Sequence, residues 1–304
     1  MKKIVFFGTS EFSKEILKKL KEHFEILAVV TQPDRPVGRK QEILESPVSK
    51  EAGLSNIRVL KPENLKEISS LEQLKNLPKA DVFVVVAYGQ IIPKKVLDLA
   101  PAINIHGSVL PKYRGASPIQ AALLNGETET GVSIMLMDEK MDHGPILKIE
   151  TLKIKPEDTF FELEGKLLEL AKNMIVPLLN DFLKGKLKPQ EQDHGQATFC
   201  KVIKKENGCI NWNDRSGEIF NKYRAYIKWP GIWTVFEGKV LKIKKILPST
   251  IKADPGLVLK DGSKVLIGTA EGSLELLEIQ LEGKKENSIS DFLRGHQNFI
   301  NTKL

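Results

Sequence analysis

Lys3-Ile4-Val5-Phe6-Phe7-Gly8-Thr9-Ser10, followed by Phe12, Ile16, Leu17 and Leu20 at helical spacing and then by Glu25-Ile26-Leu27-Ala28-Val29-Val30, is the stretch on which the fold reading turns. A short apolar run, a helical stripe and a second apolar run are the order expected of parallel βα units. The alternation recurs: Ile57 to Leu60, Asp81 to Ala87, Ala102 to His106 and Gly131 to Met137 read as further strands, with helical stretches before or between most of them. The expected architecture is α/β, an open, doubly wound, Rossmann-like parallel sheet. Thr159 and Glu162 have capping-box spacing ahead of Leu163, Leu167, Leu170 and Met174, so a longer helix should close this domain.

Outward from that core, the 304 residues suffice for about two domains of roughly 150 residues each. Residues 185–203 lose periodicity and carry Gly185, Pro189 and Gly195 among polar neighbours, which reads as a linker between domains at 1–184 and 204–304. The second domain opens with a helix at about Ser216 to Ala225. Five short strand candidates follow: Ile232 to Phe236, Lys239 to Ile246, Gly256 to Leu259, Lys264 to Gly268 and Leu274 to Leu281. Short strands with glycine turns predict a small, OB-like β-barrel. No internal repeat or low-complexity segment interrupts either domain.

Charge separates the two halves. Residues 204–304 hold 17 basic and 12 acidic side chains, and 204–245 alone hold ten against four. Such a surplus suits a polyanionic partner, and equally a solvated lysine-rich face. No apolar run reaches the roughly 18 residues of a membrane span, so a soluble, cytoplasmic protein is expected. Cys200 and Cys209 match no zinc or redox spacing and read as reduced structural thiols. Without coiled-coil heptads, a monomer is the default expectation.

Three segments carry chemistry. The turn Gly8-Thr9-Ser10 has one glycine where a dinucleotide fingerprint has three, which disfavours nicotinamide or flavin enzymes and leaves Ser10 as a helix cap or part of an anion site. Asn104-Ile105-His106-Gly107-Ser108-Val109-Leu110-Pro111 stands at a predicted strand end, where doubly wound sheets place their ligand crevice. Asn104 and His106 share a strand face and could supply donors to an oxyanion and a group that handles a proton; a lone His106 could equally satisfy a buried backbone group. Asp142, in Met141-Asp142-His143-Gly144-Pro145, could orient the imidazole or serve its turn alone. No metal site is expected, because Asp142 and His143 have no further ligand near in sequence. His23, His194 and His296 have no motif around them.

Taken together, Asn104 to Pro111 and Asp142-His143-Gly144-Pro145 resemble the signature of folate-dependent formyltransferases. Three further segments are similar to the branch of that family that acts on an aminoacyl-tRNA. They are Thr31-Gln32-Pro33-Asp34-Arg35-Pro36-Val37-Gly38-Arg39, then Phe220-Asn221-Lys222-Tyr223-Arg224-Ala225 with Trp229-Pro230-Gly231, and Leu281-Glu282-Gly283-Lys284-Lys285 before Asp291-Phe292-Leu293-Arg294-Gly295. The resemblance spans Ile4 to Gly295. It implies catalytic roles for Asn104, His106 and Asp142, and folate contacts at Ser108, Val109, Leu110 and Pro111 and around Val86, Ala87, Tyr88 and Gly89. The implied donor is 10-formyltetrahydrofolate and the implied acceptor is the α-amino group of methionine esterified to initiator tRNA, a step of translation initiation. The loop from Asp34 to Glu45 is implied to meet the tRNA acceptor stem through Arg39 and Lys40. Lys201, Lys204 and Lys205 are the candidate phosphate contacts of the basic region.

The chain departs from the pattern where Lys40-Gln41-Glu42 replaces a denser basic run, so that residues 32–46 balance three basic against three acidic side chains. Two other functions stay open at this level. One is formyl transfer to a small amine such as an amino sugar nucleotide or a purine precursor. The other is non-catalytic RNA binding.

Overall fold

The computed structural model describes residues 1–37 and 41–304. The chain divides into two compact units. One holds residues 1–118, 129–153 and 164–201, the other 119–128, 154–163 and 202–304.

The first unit is built on a seven-stranded sheet. Its strands are β1 (Lys3–Gly8), β2 (Glu25–Val30), β3 (Val59–Leu60), β4 (Val82–Val86), β5 (Ala102–His106), β6 (Glu129–Leu136) and β7 (Ile146–Lys153), in the spatial order β7-β6-β5-β4-β1-β2-β3. Pairing from β3 across to β5 is parallel, as the alternating pattern requires. Strand β1 is buried on both faces: Val5 and Phe7 join the cluster containing Val30, Phe83, Leu65 and Val96, while Ile4 and Phe6 are buried on the opposite face. Helix α1 (Glu11–Lys21) starts where Ser10 Oγ accepts the Ser13 N–H at 3.2 Å, and it buries Ile16, Leu17 and Leu20. Gly8 permits the tight strand-to-helix turn, since a Cβ there would stand 2.7 Å from both Phe6 and Ser13. Because β1 lies between β2 and β4, the sheet reverses its direction of growth there and opens a crevice beyond the strand C-termini.

Two features of this sheet go beyond what the apolar pattern indicates. Strand β6 runs antiparallel to β5, and β7 runs antiparallel to β6 along the edge. The apolar run of β6 says that it is buried, not which way it points. Strand β7, Ile-Leu-Lys-Ile-Glu-Thr-Leu-Lys, lies at the sheet edge with none of its residues fully buried, which leaves room for its polar half.

Residues 185–201 are not a free linker but are bonded into the first unit. Gln190 and Ile146 exchange backbone hydrogen bonds of 2.8 and 2.7 Å, and Phe199–Cys200 pairs with Arg114–Gly115. Helix α2 (Phe160–Leu183) follows the expected box, with the Thr159 N–H donating to Glu162 Oε2 at 2.9 Å and Leu163, Leu167 and Met174 buried.

The second unit carries helix α3 (Ser216–Tyr226) and a six-stranded antiparallel sheet. Its main strands are β8 (Ile232–Phe236), β9 (Lys239–Ser249), β10 (Val258–Asp261), β11 (Lys264–Gly268) and β12 (Ser273–Leu281), ordered β8-β9-β12-β11-β10, with Asn287–Ser288 added against β12. Phe299 sits edge-on to Phe236 and Phe292, with ring centroids 5.0 and 5.2 Å away, in the core. Trp229, for which a core position is the ordinary expectation, is instead 52 % exposed.

The Phe220 to Ala225 segment is explained by Arg224. This buried guanidinium donates to the backbone carbonyls of Asp158 (3.0 Å) and Lys155 (3.5 Å) and lies 5.7 Å over the Phe220 ring. It ties residues 154–163 to α3 within this unit. Arg224→Ala should leave those carbonyls without their donor and lower stability by about 1–3 kcal/mol, read by denaturant unfolding.

Candidate functional site

Strand alternation puts Asn104 and His106 on one face of β5 and Ile103 and Ile105 on the other. The turn that follows is pinned from β6. Ser133 Oγ donates to the Ser108 carbonyl at 2.7 Å and accepts the Leu110 N–H at 3.0 Å, while Ser108 Oγ donates to the Lys112 carbonyl at 2.6 Å. The Leu110–Pro111 peptide is cis.

Asp142 reaches this strand end from the turn after β6, with a positive φ of 50°. Its Oδ1 accepts from Asn104 Nδ2 at 3.2 Å and stands 3.6 Å from His106 Nδ1. Its Oδ2 accepts the Gly115 N–H at 2.7 Å. Glycine is needed there: at φ +120° a Cβ would lie 2.2 Å from the Cys200 carbonyl oxygen. The other ring nitrogen of buried His106, Nε2, lies 2.9 Å from the Tyr113 carbonyl. A carbonyl only accepts, so Nε2–H is the donor, and the ring presents Nδ1 to the carboxylate. The three predicted catalytic side chains therefore meet at one point, and His106 also satisfies a backbone carbonyl.

Residues that sequence reasoning passed over surround Asp142. Gln192 Nε2 donates to the carbonyls of Asp142 (3.0 Å) and Gly144 (2.7 Å), and its Oε1 accepts from Arg114 Nε (3.2 Å) and Nη2 (2.6 Å). Arg114 Nη2 also lies 2.9 Å from His194 Nδ1. The His194 ring stacks on His143 at 3.9 Å and 9°, and His143 Nδ1 lies 2.6 Å from Asp138 Oδ2. Arg114 closely follows the strand-end motif and could have been suspected from that position. Gln192 stands in a stretch without periodicity, and no local signal marks it.

The expected folate residues fall on turns leaving neighbouring parallel strands, since Val85 of β4 pairs with Asn104 of β5. Val86, Tyr88, Ser108 and Leu110 are buried, Val109 and Pro111 half-buried, and Ala87 and Gly89 exposed at positive φ. The Tyr88 hydroxyl is buried with no partner among the described residues, and burial pushes its phenol pKa up. Its backbone carbonyl accepts from Thr9 Oγ1 and Gln32 Nε2, which locks the turn after β4. Arg39 and Lys40 lie outside the described residues. Lys201, in the first unit, and Lys204 and Lys205, in the second, are exposed. Among the described residues, no group of three or more His, Cys, Asp or Glu could hold a metal ion, and no helix is long and apolar enough to cross a membrane.

Residues 1–179 match the formyl transferase family and residues 202–297 the C-terminal domain of formyl transferases. The chain belongs to the formyl transferase family. Within it, the chain is similar to proteins named methionyl-tRNA formyltransferase. It is 39 % identical over 302 residues to that of Clostridium acetobutylicum, covering 97 % of both chains. To that of Dehalococcoides mccartyi it is 41 % identical over 312 residues, covering 99 % of this chain and 97 % of the other. Among solved structures, an N-formyltransferase from Helicobacter canadensis, in complex with folinic acid and dTDP-3-aminofucose, shares the fold at a TM-score of 0.68 and 22 % identity over 91 % of this chain and 99 % of that one. HypX from Aquifex aeolicus in complex with tetrahydrofolic acid has a TM-score of 0.66 and 18 % identity over 98 % of this chain, which spans 48 % of that longer protein.

Cys200 sits beside this site, with its Sγ 3.4 Å from the Tyr113 and Arg114 carbonyls, and burial pushes its thiol pKa up. A raised pKa means less thiolate at a given pH. Exposed Cys209 should therefore react first with a maleimide near neutral pH, Cys200 only as the pH is raised, as read by peptide mass spectrometry.

Proposed function

We propose that this protein transfers the formyl group of 10-formyltetrahydrofolate to the α-amino group of methionine esterified to initiator tRNA, in the cytoplasm and without a metal. The observation that carries the proposal is the meeting of Asn104, His106 and Asp142 at the end of β5. Relatives bearing the corresponding name along nearly the whole chain support the choice of acceptor. The solved neighbours, below 25 % identity, speak for the fold alone.

The turns after β4 and β5 suit a flat reduced pteridine. Val86, Tyr88, Ser108 and Leu110 direct their side chains inward, leaving backbone groups together with Ala87, Gly89, Val109 and Pro111 to receive it. The folate supplies a formyl group on an amide-like nitrogen, whose oxygen gains negative charge during transfer. Asn104 meets that charge with its second amide N–H, since the first is committed to Asp142 Oδ1. His106 offers the Nε2–H that the Tyr113 carbonyl holds here, so substrate oxygen takes over that donor in the reacting complex. Asp142, anchored by Gly115, keeps both side chains oriented and is placed to take the amine proton through a water. Attack requires the neutral amine, and an esterified carboxyl lowers amine basicity relative to the free amino acid.

Residues 204–304 hold the tRNA backbone in this reading, Lys201, Lys204 and Lys205 making phosphate contacts and the loop with Arg39 and Lys40 meeting the acceptor end. Removing the three lysines should weaken tRNA affinity and flatten its dependence on salt by roughly 0.9 of a log unit for each duplex phosphate no longer neutralised. An unchanged slope in binding titrations would remove them from the interface.

The catalytic assignment is tested by formylation of charged initiator tRNA, followed by mass. Asn104→Ala and His106→Ala should each lose turnover by about 100- to 1,000-fold, the usual cost of one oxyanion donor. Asp142→Asn should lose a comparable amount while folding normally, because its amide keeps an acceptor for Gly115. Near-full turnover by the folded variants would overturn the assignment. Formylation of an amino sugar nucleotide in place of the tRNA would redirect the choice of acceptor.

A further inference from the structure

We infer that Gln192, held by Arg114, is a positioning residue for the reaction, setting the Asp142 carboxylate against Asn104 and His106; this rests on the catalytic reading above. Asp142 departs from the extended or right-handed backbone that its side chain prefers, so its orientation depends on what grips the turn. On the backbone carbonyls of Asp142 and Gly144 that grip comes from one side-chain amide. Gln192 is 6 % exposed and spends Nε2 on two carbonyls of that turn, those of Asp142 and Gly144. Both N–H groups of the amide are thereby used, and its oxygen is taken by two donors of Arg114, itself 3 % exposed.

Only a primary amide fits between these neighbours, because it must accept from a guanidinium on one side and donate twice on the other. A carboxylate of the same shape would keep the pairing with Arg114 and bring acceptor against acceptor at Asp142 and Gly144. Arg114 in turn belongs to the turn that supplies the Gly115 N–H to Asp142 Oδ2 and the Tyr113 carbonyl to His106 Nε2. The Arg114–Gln192 pair therefore joins the two turns that flank the carboxylate, one by its backbone and the other by its side chain. Arg114 also meets His194, whose ring stacks on His143 of the Asp142 turn, giving the brace a second point of support.

The test uses the full-length protein in steady-state formylation of charged initiator tRNA, with thermal unfolding measured alongside. Gln192→Glu preserves volume and the Arg114 contact. It should lower kcat by about 10- to 100-fold, the cost of a small misplacement of a catalytic group, with the KM for 10-formyltetrahydrofolate changed less than about twofold. In an Asp142→Asn background the same substitution should add less than about twofold, because the group it positions is already gone. Arg114→Lys, which keeps the charge and loses the fork, should show the same suppression and serves if Gln192→Glu folds poorly.

Normal kcat in folded Gln192→Glu and Arg114→Lys, or losses that multiply with Asp142→Asn, would overturn the inference. Full turnover by Asp142→Asn alone would overturn the catalytic reading and this inference together. Loss with Asp142→Asn but not with Gln192→Glu would remove the brace and leave the catalytic reading standing.

Discussion

The site depends on one carboxylate that can only accept hydrogen bonds. Asp142 faces a side-chain amide from β5, a backbone N–H from the turn at Gly115 and, at 3.6 Å, an imidazole nitrogen. Three groups, two from β5 and one from the turn at Gly115, are thus oriented by a single charge. Each interaction is individually modest in water, but charge-assisted bonds at a half-buried carboxylate are stronger and more directional. The left-handed backbone at Asp142, which costs a non-glycine residue roughly 1–2 kcal/mol, is sustained by these bonds and by the Gln192 amide that holds the same turn.

The sheet makes the convergence possible. Parallel strands deliver their C-termini to one edge, so the turns after β1, β4 and β5 open side by side. Antiparallel β6 then supplies Ser133, which pairs with His106, to pin the turn after β5, and runs away from that end until Leu136 pairs with Ile103. The loop after β6 then folds back and brings Asp142 to the side chains of Asn104 and His106. Neither the orientation of β6 nor that return of the loop is visible in the apolar composition of the strand.

Much of this was legible along the chain. Continuous apolar runs marked β1, β2, β4 and β5, and the spacing of Ile16, Leu17 and Leu20 marked α1, because burial on both sheet faces leaves little choice of residue. Asn104 and His106 declared themselves by strand alternation at a strand end. Asp142 was legible only as a turn residue until its resemblance to a family signature gave it a partner. Arg224 appeared within a motif, but its role as a tie within the second unit came from carbonyls far away in sequence. Trp229 ran the other way: a large aromatic is expected in a core, yet its position leaves it exposed.

By itself, the sequence determined the class of fold, the positions of most strands and the shared face of Asn104 and His106, since these follow from local periodicity, whereas Asp142 joined them through the resemblance to a family signature. Only the tertiary structure decided that the Tyr113 carbonyl holds the His106 ring, that Gly115 anchors Asp142, and that Gln192 reaches the Asp142 turn from a stretch that reads as a linker. The last of those bonds joins residues 50 positions apart. A hydrogen bond needs a donor and an acceptor within about 3 Å, and no local pattern encodes that proximity.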